Sequence, residues 1–417
     1  MIKVNNDYTS IRINAQRLWN SLIEMAEIGA TASGGCNRQT LTDEDKVSRD
    51  RFVQNCEQAS CSIKVDQMGN IFARRAGRNN DLPPVIAGSH LDTQPTGGKF
   101  DGAYGVLAGL EVIKTLNDYG IETDLPIEVV TWTNEEGARF SPAMIGSGVW
   151  SGNFELDFAY SRSDKQGKIF GEELEHIAYR GEVAAKAKPI TAAFELHIEQ
   201  GPILETEGLQ IGVVSGVQGI SWYDLILQGQ ASHAGPTPMQ ARRDPFVGLT
   251  KIIDRLYELI AQHAPWARVT FGDIKAEPGT RNTVPEQLIL SVDIRHPEQS
   301  ILDDLDTAFR KIVSEESEKV RLTGIIKDEW KAPAVSFDKD CISSVKQAAE
   351  QLKYNYKEMF SGAGHDSVYV SQVVSTSMIF IPCKNGLSHN EAEYASPEDI
   401  EAGCNVLLHA MLNRAMD

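Results

Sequence analysis

PVIAGSHLDTQPTGGKFDGAYGVLAGLEVIKTL, residues 84–116, is the stretch that decides the fold. It opens on a short apolar run that ends in polar residues and passes into a Gly-rich loop. An apolar stretch at helical spacing follows, 102–118, and Gly120 closes it. A short apolar strand feeding a helix is the building unit of a parallel α/β sheet. IEVVTWTNEEG (127–137) and AAFELHIEQG (192–201) read as two more strands running into acidic residues. The expected fold class is therefore α/β with a mixed, largely parallel sheet. Ligands in such sheets collect beyond the carboxyl ends of the strands. His90, Glu135, Glu136 and His197 all fall at or just past such an end.

Outward from this core, residues 11–29 and 42–59 read as helices, and 61–76 as a hairpin around Gly69-Asn70. Residues 217–330 change character. Their order is strand (219–229), helix (242–262), strand (267–276), strand (285–295), helix (298–318) and strand (320–328). That β-α-β-β-α-β order is the ferredoxin-like unit, and it reads as a complete domain inserted into the first. Two domains are expected: 1–216 with 331–417, and 217–330. Beyond Ala332-Pro333 come a helix (338–352), a strand (376–382), a polar loop with His389 and a last helix. That helix starts with Ser396 as N-cap, Pro397 at N1 and Asp399 at N3.

Composition excludes several classes of function. The 417 residues carry 40 Lys+Arg against 58 Asp+Glu, a net charge of −18, which argues against nucleic acid or an anionic membrane as the main partner. No stretch approaches the ~20 apolar residues of a membrane helix. The opening MIKVNNDYTSIRIN lacks the apolar core and cleavage site of a secretory signal. Six cysteines (Cys36, Cys56, Cys61, Cys341, Cys383, Cys404) form no CxxC pair, so no disulfide framework is expected and a reducing cytoplasm is the default compartment.

Five side chains from separate segments stand out as metal ligands: His90, Asp101, Glu136, His197 and His389. Imidazole and carboxylate without thiolate suit Zn, Mn, Co or Ni. With one carboxylate bridging, five ligands suit two divalent metal ions about 3.5–4 Å apart. Asp92 follows His90 by two residues. If 86–92 is a strand, both side chains share a face and Asp92 orients the imidazole. Glu135 and Glu136 are adjacent in a loop, so one can bind metal while the other reaches a water, and spacing leaves open which does which.

GSHLDT (88–93), GGKFDG (97–102), NEEG (134–137), HIEQG (197–201) and SHNEAE (388–393) resemble the metal-site motifs of the M20 metallopeptidase superfamily. More narrowly they resemble its amidase/carbamoylase branch of N-carbamoyl-L-amino acid hydrolases, β-ureidopropionases and allantoate amidohydrolases. The resemblance spans nearly the whole chain. It implies that His90 and His197 hold one metal, Glu136 and His389 the other, that Asp101 bridges them, and that Glu135 is the general base. It implies that Arg295, in VDIRHP, anchors a substrate carboxylate and that His233, in ASHAGPTP, stabilises the oxyanion. Gln200 and Asn282 become substrate contacts, and GAGHD (362–366), with Gly364, a pocket loop in which His365 is not a sixth ligand. The inserted domain becomes a lid through which a homodimer forms.

The implied reaction is cleavage of the ureido C–N bond of a small carboxylated substrate, an N-carbamoyl-L-amino acid or N-carbamoyl-β-alanine. Amino acid, ammonia and carbon dioxide are the products. The alternatives are allantoate hydrolysis, N-acyl amino acid or dipeptide hydrolysis, and a non-catalytic binder of the same fold. An intact Glu135 beside five ligands argues against the binder.

Overall fold

The computed structural model describes residues 8–416. The part of the N-terminal reading that falls on residues 1–7 lies outside the described residues. The chain divides into two compact units: one up to Ser215 and from Phe337 onward, the other Gly216–Ser336.

The first unit is mixed α/β, built on a sheet with a parallel centre. Its centre is four parallel strands in the order Ile127–Trp132, Val85–His90, Ala192–Ile198, Thr376–Ile381. Antiparallel strands flank them, Ser62–Val65 and Ile71–Arg75 on one side and Ile211–Val217 on the other. Every residue of the four central strands is buried, because apolar side chains cover both faces. On one face Ala87, Val129, Leu196 and Ile379 pack with helices Ala15–Ala26, Ala103–Asp118 and Pro397–Ala415. On the other, Ile86, Val130 and Ala193 pack around Trp132 and Trp150. Two-sided burial is why these strands read as unbroken apolar runs. Thr42 and Ser396 cap the starts of their helices, accepting from Asp45 N and Asp399 N, Ser396 as its sequence position predicts.

In this unit three elements differ from the sequence reading. The strand expected over 86–92 ends at His90, so Asp92 lies in the loop beyond it. Strands Ile211–Val217 and Tyr356–Ser361 are additional to those the sequence pattern predicts. The first is divided from strand Gly219–Gln228 by Gln218 alone, with no turn signal between them. The second, YKEMFS, is polar and only partly buried because it pairs at the margin of the sheet.

The second unit is a four-stranded sheet in the order Thr323–Ala332, Gly219–Gln228, Gln287–His296, Arg268–Glu277, every neighbouring pair antiparallel. The last strand runs to Ala332 instead of 328, since a bulge between Asp328 and Trp330 lets it stay paired with Gly219–Gln228. Along Gln287–His296 burial alternates strictly: Leu288, Leu290, Val292 and Ile294 pack with helices Pro245–Ala261 and Gln299–Lys319. Gln287, Ile289, Ser291, Asp293 and Arg295 occupy the other face.

All six cysteines are free and buried. Among the described residues, no helix is long and apolar enough to cross a membrane.

Candidate metal centre

Parallel strands bring their carboxyl ends to one edge of the sheet, and each central strand delivers part of the site there. His90 is the last residue of Val85–His90, and His197 the last but one of Ala192–Ile198. Glu135 and Glu136 follow Ile127–Trp132 through a turn at Asn134. This residue sits at φ 60°, with its side-chain amide donating to the Phe140 and Pro142 carbonyls. His389 lies in the loop after Thr376–Ile381, at φ 52° and with its side chain 51% exposed. Asp101 comes from the loop before helix Ala103–Asp118. Gly102 lets that loop pass over the imidazole: a Cβ there would meet the His90 ring at 2.3–2.4 Å.

The side chains gather into two trios that share Asp101. His90, Asp101 and His197 form one, Asp101, Glu136 and His389 the other, and within each trio the ligand atoms lie within 4.8 Å of one another. Asp101 Oδ1 is 3.4 Å from His90 Nε2 and 3.1 Å from His197 Nε2. Its Oδ2 is 3.7 Å from His389 Nε2, which is 3.3 Å from Glu136 Oε2. Glu135 belongs to neither trio, but its Oε2 lies 3.4 Å from His90 Nε2.

The surrounding contacts fix these atoms. His90 Nδ1 meets the carbonyl of Asp92 at 2.8 Å, and His197 Nδ1 the carbonyl of Ile198 at 2.9 Å. Both imidazoles therefore turn Nε2 toward the carboxylates. Asp92 meets His90 through its backbone oxygen, not through the side chain expected from the sequence. With the strand ending at His90, the Asp92 carboxylate is 4.0 Å away and instead accepts from the backbone N–H groups of Glu135 and Glu136 at 3.3 Å each. Gln94 holds Glu136 with its backbone N–H and its side-chain amide, at 3.1 and 2.7 Å. Gln200 and Ser388 donate to Asp101 Oδ2 at 2.8 and 2.6 Å.

This is too much negative charge for a buried space. Burial, reinforced by Asp366, Glu136 and Asp101, pushes Glu135 well above the usual carboxylate range. Burial, then Asp101, lifts Glu136 to about 8. Burial pulls His90 down, but Glu135, Asp101 and Asp92 outweigh it and hold the imidazole well above its ordinary value. Burial opposes ionisation of Asp101 too, yet His197 and His90 keep it well below the normal range. Nitrogen and oxygen donors without a thiolate, converging on a space this acidic, fit divalent cations.

His365 packs edge-on to His197, with ring centroids 4.7 Å apart, and its Nε2 lies 3.0 Å from Ser361 Oγ. Burial and the neighbouring His197 hold it well below its usual value. Gly364 is exposed beside Met144, and a Cβ there would touch the Met144 methyl at 3.1 Å. Sequence reading gave no role to Gln94, Ser388 or Glu393. Each is an ordinary polar residue until the chain folds, although Ser388 and Glu393 bracket one of the quoted motifs.

The remaining residues lie in the second unit. His233 and Asn282 are exposed and adjacent, since strands Ser232–His233 and Thr283–Val284 pair and Ala234 N donates to Asn282 O at 2.9 Å. Arg295, at the end of its strand, directs Nε and Nη2 at the Asp293 carboxylate, with Nη2 at 2.8 Å.

A parallel-centred α/β sheet with a shared-carboxylate His/Asp/Glu centre at its strand ends defines a metal-binding protein of the metallohydrolase type. Residues 86–413 match the description of peptidase family M20/M25/M40, and the chain belongs to that family. It is 46% identical over 404 residues to the N-carbamoyl-L-amino-acid amidohydrolase of Rhizobium meliloti, covering 97% of each chain. It is 31% identical to the allantoate amidohydrolase of Bacillus subtilis, covering 92% of this chain and 93% of that one. Among solved structures it resembles a hydantoinase/carbamoylase family amidase from Burkholderia multivorans. That likeness has a TM-score of 0.95 and 51% identity, and covers 98% of this chain and 99% of that one.

Proposed function

We propose that this chain hydrolyses the ureido C–N bond of N-carbamoyl-L-amino acids or N-carbamoyl-β-alanine, releasing amino acid, ammonia and carbon dioxide. The observation that carries this reading is the 46% identity, over 97% of both chains, to an N-carbamoyl-L-amino-acid amidohydrolase. Two divalent ions, of Zn, Mn, Co or Ni, would be held by His90, Asp101 and His197 and by Asp101, Glu136 and His389. When bound, such ions polarise a carbonyl and acidify a water.

The chain's own groups do the rest. Glu135 takes a proton from the attacking water at its carboxylate and passes it to the departing nitrogen. Its burial supports this role, because removal from water pushes the carboxyl above the usual carboxylate range and so favours its taking up a proton. Asp92 holds the backbone of Glu135 and Glu136 while its carbonyl fixes His90. In the second unit, which we read as a ferredoxin-like lid over 217–330, His233 and Asn282 would stabilise the oxyanion. Gly235 N donates to His233 Nδ1 at 3.1 Å, which leaves Nε2 as the ring nitrogen able to carry a donor hydrogen. Arg295 would exchange Asp293 for the substrate carboxylate, a bidentate partner of the same shape. Gln200 and the Gly364 loop would complete the pocket. The lid would also join two copies into a homodimer, and six free, buried cysteines fit a cytoplasmic setting.

The likeness to an allantoate amidohydrolase supports allantoate as the second candidate. Ammonia release from metal-reconstituted protein separates the readings. N-carbamoyl-L-amino acids, N-carbamoyl-β-alanine and allantoate are compared, with N-acyl amino acids and dipeptides assayed for amine release. The expected result is the highest kcat/KM on an N-carbamoyl amino acid. Fastest release from allantoate would transfer the assignment. Silence on every ureido compound beside cleavage of acyl or peptidyl ones would overturn it.

A further inference from the structure

Glu393 is 4% exposed and is placed where two distant loops meet. Its Oε1 accepts from the backbone N–H groups of Phe100 and Asp101 at 2.9 and 3.1 Å. Its Oε2 lies 3.2 Å from Ser388 Oγ, and that hydroxyl donates to Asp101 Oδ2 at 2.6 Å. One carboxyl group thus holds both the backbone of Asp101 and the hydroxyl that meets its side chain. The loop that carries Glu393 also carries His389. The opposite wall has been cut away for it: a Cβ on Gly98 would stand 2.0 Å from the Glu393 carboxyl carbon and from Oε1. Gly98 does not occupy the left-handed region, so it is the Glu393 carboxyl that requires a glycine there.

We propose that Glu393 is a positioning residue that clamps loop 98–101 to loop 388–393 and so sets the Asp101 carboxylate between the two ligand trios. It touches no ligand atom itself. Its effect passes through Asp101 N and Ser388, and the shared carboxylate makes both trios depend on it. The inference rests on the reading of those trios as a metal centre. Partners of ligand side chains commonly account for 10–100-fold in metal affinity.

The test is metal affinity of the full-length protein, measured with Zn²⁺ alone in competition with a chromophoric chelator, alongside the melting temperature of the metal-free protein. Glu393→Ala should weaken binding by about 10–100-fold. Glu393→Gln keeps an oxygen for the two N–H groups and an amide for Ser388 Oγ, and should restore most of the affinity. Gly98→Ala should weaken binding in the native background and add no further loss beside Glu393→Ala, where its methyl finds room. Native affinity in Glu393→Ala, or a fallen melting temperature with affinity unmoved, would overturn the proposal. So would a Gln variant as poor as the Ala one. Should Glu393→Ala fail to fold, Gly98→Ala decides: unweakened binding there overturns the clamp. Wild-type protein that binds no Zn²⁺ would remove the metal centre itself, a failure distinct from the clamp's.

Discussion

Glu135→Gln should leave the protein folded and loaded with metal while lowering kcat by about 10²–10⁴-fold, the usual contribution of a positioned general base. The substitution is nearly isosteric and Glu135 lies outside both ligand trios, so metal content should stay at the wild-type value. The Asp92 bond to its backbone N–H is untouched. What disappears is the capacity to hold a proton at Oε2, beside the His90 imidazole. An interaction used only in the transition state lowers kcat and kcat/KM together, with little change in KM. Near-normal turnover would remove Glu135 from the mechanism. A lost metal count would make it a ligand instead of a base.

Asp101→Ala should be more damaging, because one side chain serves two trios. Its Oδ1 faces His90 and His197, and its Oδ2 lies on the side of Glu136 and His389. Removing it leaves each trio with two ligands and strips Gln200 and Ser388 of a common acceptor. The expected result by elemental analysis is loss of metal from both positions, with affinity down by more than the roughly 10–100-fold typical of an outer partner. His389→Ala touches one trio only, so the contrast between the variants reads out the sharing. An unchanged metal count in Asp101→Ala would contradict the bridging role.

Much of this site could be read from sequence because its scaffold is simple. Four buried parallel strands leave short, unbroken apolar runs in the chain, and the polar residues that end those runs are conspicuous. His90, Glu135, Glu136 and His197 were placed on that basis alone. Asp92 shows where the reading fails. Alternation along a strand puts it beside His90, but the strand stops at His90, and a backbone carbonyl takes the imidazole instead. Arg295 and Asp293 are two apart on one strand, so alternation alone places them on one face, where they pair. Glu393 was beyond reach. In sequence it is one more acid in a polar loop, and its partners Phe100 and Asp101 are 293 and 292 residues away. Only the fold supplies the buried N–H groups that give it a purpose.

Metal dependence is tested most directly by titrating Zn²⁺ or Mn²⁺ back into chelator-stripped protein while following ammonia release from an N-carbamoyl-L-amino acid. Stripped protein should release none, and release should rise until it saturates at two metal ions per chain. Full turnover in protein that elemental analysis finds free of metal would contradict it.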